Sequence, residues 1–184
     1  MKLTIPNILT LGRVIGIPIM FILFFLPYEW ARYASALVYA LAAITDWFDG
    51  YLARKLNQSS KFGAFLDPVA DKLLVAVALV LIVLDQPNLF VALAAAIIIG
   101  REIVISALRE WLAELGERTT VAVSSIGKIK TGFQMTALGM LLWRSDIFFI
   151  PTNAIALVLL GLAAILTLYS MFLYLRAAWP LLKD

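Results

Sequence analysis

The sequence predicts an all-α integral membrane protein of six transmembrane helices, with a short N-terminal interfacial segment and both termini cytoplasmic. Three observations carry this. The 184 residues are 63% hydrophobic with a mean hydropathy of +0.96, well above the roughly half apolar content of soluble domains. The apolar residues gather into runs of the roughly 20 residues needed to cross the hydrocarbon core, separated by short polar breaks. With the N-terminus inside, 13 of the 15 basic residues fall on the inner side and only Arg32 and Arg144 on the outer, as expected if basic residues concentrate in cytoplasmic loops.

The segment Leu3 to Leu11 mixes apolar residues with Thr4, Pro6, Asn7 and Thr10. It suits an interfacial piece, a simple helix start being the alternative. The first span follows, at about 8 to 27; Pro6, Arg13 and Pro18 interrupt it, so a signal peptide is not expected. The break Pro27-Tyr28-Glu29 leads into a span of about 31 to 54, and the polar link at Asn57 to Ser60 into one of about 62 to 84. Asp85-Gln86-Pro87-Asn88 precedes a span of about 88 to 112, Gly116 to Thr120 one of about 126 to 143, and Arg144 to Pro151 one of about 150 to 176. Trp30 and Trp143 near outer ends, with Trp111 and Trp179 near inner ends, fit an aromatic belt. No internal repeat stands out, and residues 1–184 read as one domain.

With no cysteine and no histidine, any metal must sit on oxygen ligands, and any general base must be a carboxylate, a lysine or a tyrosine. Candidates cluster between Asp46 and Asp71. Asp46, Asp49, Gly50, Ala53 and Arg54 fall on one face of a helix, as do Gly63, Asp67 and Asp71, because side chains three or four apart stack above one another. Charges near the bilayer centre cost about 2.5 to 3.5 kcal/mol each, so such acids point to function. Gathered carboxylates repel one another unless cations neutralise them. The donor set points to a hard divalent ion, Mg2+ or Mn2+, with ligands enough for two. Two metals beside Arg54 make a pocket for a polyanion, which Gly50, Ala53 and Gly63 would let approach the backbone. Pro68 donates no hydrogen bond, which can leave the Ala64 carbonyl for a ligand.

The pattern Asp46-x2-Asp49-Gly50-x2-Ala53-Arg54-x8-Gly63-x3-Asp67-x3-Asp71 resembles the complete signature of the CDP-alcohol phosphotransferases. The resemblance implies six spans, a cytoplasmic active site and a homodimer. It also implies a reaction, in which an acceptor hydroxyl attacks the β-phosphorus of a CDP-linked lipid and expels CMP. Asp46, Asp49 and Asp67 would be metal ligands, and Asp71 both a metal ligand and the general base. Gly50, Ala53, Arg54 and Gly63 would line the cytidine diphosphate pocket.

Acceptor choice turns on a second cluster. Arg101 and Arg109 lie in the fourth span and Lys128 and Lys130 open the fifth. A buried arginine needs an anion, and its forked guanidinium suits phosphate. The cluster therefore favours an acceptor that carries its own phosphate. GREIVISALREW, SSIGKIKT and IPNILTLGRV are similar to the bacterial branch of the family that makes phosphatidylglycerophosphate. That similarity implies CDP-diacylglycerol as donor, sn-glycerol 3-phosphate as acceptor and a place in the bacterial inner membrane. An inositol phosphate is the alternative acceptor. A divalent-cation transporter is the alternative of another class, although its site would lie near the midplane between repeats. No nucleic-acid partner is expected.

Overall fold

The computed structural model describes the backbone of residues 5–56, 61–116, 125–147 and 149–179, and side chains over 7–46, 62–116, 129–147 and 149–179. Six α-helices follow in order: α1 Ile5–Phe25, α2 Glu29–Leu56, α3 Lys61–Asp85, α4 Leu89–Glu114, α5 Ser125–Trp143 and α6 Thr152–Ala178. Every boundary lies within three residues of its expected position. Three stretches, Asn7–Phe25, Leu89–Glu114 and Thr152–Ala178, are long and apolar enough by themselves to cross a membrane. One expectation needs correction. No separate interfacial piece precedes the first helix among the described residues, because from Ile5 onward the chain is already α1. Of the polar residues that suggested such a piece, Asn7 and Thr10 are buried within the bundle, 2% and 1% exposed.

Every helix contributes to one buried cluster. Met20 of α1, Tyr39 of α2, Leu74, Ala78 and Ile82 of α3, Ile98 of α4, Leu138 and Leu141 of α5, and Leu160 of α6 meet in it. α3 has the central place, packing against α1, α2, α4 and α5, while α6 closes over α4 and α5. A Cβ at Gly161 of α6 would stand 3.0 Å from Cζ of Phe90 on α4, so glycine there leaves room for the Phe90 ring. The outside is apolar: Ile15 and Ile22 on α1, Val80 and Leu84 on α3, Val158 and Ile165 on α6 are all exposed. A surface of that extent is unsuited to water and suited to lipid tails.

The two ends of the bundle differ. At one, Asp85 accepts bonds from Arg32, through both carboxylate oxygens, and from Arg144 at 2.8 Å. Tyr33 and Ser145 join by a hydroxyl contact of 2.9 Å, and Tyr33 packs on Trp143 with ring centroids 4.7 Å apart. This end ties together the start of α2, the end of α3 and the end of α5. The opposite end gathers the start of α1, the last turns of α2 and the start of α3, and there Asp46, Asp67 and Asp71 bond to α1.

Candidate active site

Asp46 projects from α2, and Asp67 and Asp71 from consecutive turns of α3, which Pro68 does not interrupt. Their partners come from α1, where Asn7, Thr10 and Arg13 recur every third residue and so form one polar stripe on an apolar helix. Arg13 Nη1 donates to Asp46 Oδ1 at 3.0 Å and also to Asp71 Oδ1. Thr10 Oγ1 donates to Asp67 Oδ1. The Arg13 side chain is 0% exposed, whereas those of Asp46 and Asp71 are 38% and 35% exposed. A charge that deeply buried is tolerated when paired and hydrogen-bonded. Asp46 and Asp71, partly exposed, face outward and can meet a ligand.

This stripe was missing from the sequence expectations, which placed Arg13 among the inner-side charges. Its signal was available: three polar residues at a spacing of three within a run otherwise apolar on every face. Of the expected site residues, the structure brings Asp46, Asp67 and Asp71 to one end, and it buries Gly63 at the start of α3. Asp49, Gly50, Ala53 and Arg54 ride on α2 and Lys128 on α5, but their side chains fall outside the described residues.

The second cluster forms where α4, α5 and α6 meet. Arg101 Nη1 donates to Glu102 Oε1 at 2.7 Å, and Lys130 Nζ reaches the same oxygen at 3.3 Å. Arg101 Nη2 lies 3.3 Å from Ser170 Oγ, and the buried Arg101 Nε has no hydrogen-bond partner among the described residues. Arg109 stands apart from that triad, donating to the Tyr174 hydroxyl at 2.9 Å. The guanidinium carbons of Arg101 and Arg109 lie 5.9 and 5.2 Å from the Tyr174 ring centroid, so one ring holds both arginines. Tyr174 and Ser170 were missing from the sequence expectations, although with Thr167 they fall on one face of an otherwise apolar α6.

Lys72 shares a groove with Glu102 of the second cluster. It follows Asp71 in the chain, and its Nζ donates to Ser106 Oγ of α4 at 2.6 Å. A groove of about 350 Å³ opens there, lined by Lys72, Glu102 and Ser106 at its polar margin and by Leu73, Ile99 and Ile103 along its apolar wall. A second groove of about 270 Å³ runs between α1 and α2 past Gly12 and Gly16 to Arg13.

Over residues 3–177 the sequence matches the family model described as CDP-alcohol phosphatidyltransferase. The chain belongs to that family. Among curated relatives, it is 57% identical over 178 residues to a protein of Salmonella choleraesuis, covering 97% of this chain and 96% of that one. It is 56% identical over 184 residues, the whole of both chains, to proteins of Shigella flexneri serotype 5b and of Escherichia coli. All three are named CDP-diacylglycerol--glycerol-3-phosphate 3-phosphatidyltransferase. This CDP-alcohol phosphatidyltransferase is therefore an enzyme, and its apolar helices and bacterial relatives make it a bacterial membrane protein.

Enzymes of this family are in general metal-dependent, and the residues present fit that requirement. The donor set holds oxygen ligands alone, which selects hard divalent cations. Among the described residues no three carboxylates close on a single point. Asp46 and Asp71 nevertheless share one guanidinium, and Asp67 lies a turn away from Asp71.

Proposed function

We propose that this enzyme transfers the phosphatidyl group of CDP-diacylglycerol to sn-glycerol 3-phosphate, giving phosphatidylglycerophosphate and CMP. The observation that carries the reading is the pairing of two unlike sites at one end of the bundle. Partly exposed carboxylates of α2 and α3 and a basic cluster of α4 and α5 both lie in the half of the bundle away from Asp85, and Lys72, next to Asp71 in the chain, lines a groove with Glu102. The names of the relatives at 56–57% identity support the same donor and acceptor.

Asp46, Asp67 and Asp71, with Asp49, would hold two divalent ions, Mg2+ or Mn2+. When bound, such ions neutralise charge on a pyrophosphate and on the departing phosphate. Asp71 accepts the proton of the attacking acceptor hydroxyl, a role open to a carboxylate within hydrogen-bond reach. Gly50, Ala53, Arg54 and Gly63 receive the cytidine diphosphate. Arg101 and Lys130, with Lys128 and the more distant Arg109, receive the acceptor phosphate, since guanidinium and ammonium groups recognise phosphate through charge-assisted hydrogen bonds. The two grooves, each reaching a polar cluster from the apolar surface, suit a substrate whose tails stay in the bilayer. In the same reading all six helices span the bacterial inner membrane as one domain, 1–184, with both termini and the site on the cytoplasmic side, and the enzyme is a homodimer.

The test uses purified enzyme with Mg2+ or Mn2+ and CDP-diacylglycerol. CMP is expected to appear only when sn-glycerol 3-phosphate is added, and Asp71→Asn is expected to slow its release by about 10²- to 10⁴-fold, the range for a lost general base. Equal release with an inositol phosphate, or none with either acceptor, would overturn the assignment.

A further inference from the structure

We infer that Glu102 is a specificity-determining residue whose carboxylate occupies the acceptor's phosphate position as an internal anion. An incoming phosphate monoester must displace it. The inference rests on the acceptor reading above and deepens it.

Neighbouring residues on a helix do not face each other, yet Arg101 and Glu102 both turn toward Lys130 and meet at 2.7 Å. One oxygen, Oε1, serves both cations, and its contact with Lys130 is a loose 3.3 Å. Lys130 is 5% exposed and the Arg101 side chain 12%. Cations so deeply placed need an anion whether or not substrate is present. A carboxylate bound through a single oxygen gives them one. It also leaves the buried Arg101 Nε unsatisfied, a donor that a phosphate, with three terminal oxygens, can use in addition.

The displaced carboxylate has somewhere to go. Glu102 is 28% exposed and lines the groove that Lys72 and Ser106 also line. Lys72 Nζ, held at Ser106 Oγ, stands in that groove as a third cation near Glu102. Glu102 can therefore exchange Arg101 and Lys130 for Lys72 when phosphate arrives. The exchange sets a threshold: an anion enters only if it holds the two cations better than a carboxylate does. A phosphate monoester, carrying close to two charges at neutral pH, meets that threshold more readily than a singly charged anion.

The experiment measures inorganic phosphate binding to the purified, detergent-solubilised full-length enzyme by 31P NMR titration, together with the KM for sn-glycerol 3-phosphate. Glu102→Gln keeps the side-chain shape and removes the charge. It is expected to tighten phosphate binding and lower the acceptor KM by about three- to tenfold, the effect of one like charge withdrawn from a half-buried cluster. Glu102→Asp, whose carboxylate is drawn back by one methylene and loosens from Lys130, is expected to move both quantities the same way by less. It also serves if the Gln variant does not fold. A merely structural role would weaken binding, so unchanged or weaker phosphate binding in a folded variant overturns the inference. The titration needs no turnover. Tighter phosphate binding in the variant, together with wild-type enzyme that fails to use sn-glycerol 3-phosphate, would reject the acceptor identity and leave Glu102's role standing.

Discussion

Arg13 shows how one residue can organise acids that repel one another. Asp46 and Asp71 come from different helices, and their shared contact with a fully buried guanidinium fixes the distance between those helices at the site. Both bonds leave from Nη1, whose two hydrogens are aimed by the rigid guanidinium plane, whereas an ammonium is a single point charge on a shorter, flexible stem. Arg13→Lys should therefore keep the charge balance and lose the geometry. Turnover is expected to fall by about 10- to 100-fold, the usual cost of losing a group that orients metal ligands or the residues around them. The divalent-ion concentration needed for half-maximal activity should rise alongside. A variant with wild-type kcat and wild-type ion requirement would show that the aspartates are held by other means. The arginine escaped notice in the sequence because positive charge near a helix end has a second explanation in topology, and composition alone does not separate the two.

At the scale of elements, the two ends of the bundle divide the work. The Asp85 end carries structure: one carboxylate, 8% exposed, accepts from Arg32 and Arg144 and so joins α2, α3 and the α5–α6 connection. Removing its charge strands two arginines at the membrane boundary without touching the site at the far end. Asp85→Asn is expected to lower stability by about 1 to 3 kcal/mol, the scale of lost charge-assisted hydrogen bonds. Thermal inactivation in detergent would read this as a lower midpoint, with KM for both substrates unchanged. A shift in KM instead would mean that the ends are coupled through α3. The helices themselves were legible to within three residues, because Pro27, Asn57 to Ser60, Pro87 and Pro151 punctuate the apolar runs. Contacts between helices were not. Thr167, Ser170 and Tyr174 do recur on one face of α6, but such a stripe says which face turns inward and not that Tyr174 will meet Arg101 and Arg109.

For the whole molecule, legibility follows from where charge is placed. The signature from Asp46 to Asp71 stands out because each acid is costly in an apolar chain, and in the structure Asp46, Asp67 and Asp71 each accept a bond from α1. Orientation rests on the same reasoning applied to the basic residues, and it has a direct check because the chain contains no cysteine. α4 runs for 26 residues, about 39 Å at 1.5 Å per residue, enough to carry Gln86 just before it and Glu114 at its far end to opposite faces of the bilayer. Single-cysteine variants at these positions can be treated with a membrane-impermeant maleimide in spheroplasts and in inverted vesicles. Gln86→Cys is expected to react in spheroplasts and Glu114→Cys in inverted vesicles, because Gln86 adjoins the Asp85 end and Glu114 lies toward the carboxylate end. The reverse pattern would turn the site outward, away from the cytoplasmic pools of nucleotide and phosphorylated acceptor. Labelling of both positions from one side would mean that α4 does not span. The six-helix crossing would then fail, since α3 and α4 are joined only by the short turn from Gln86 to Asn88 and must cross as a pair.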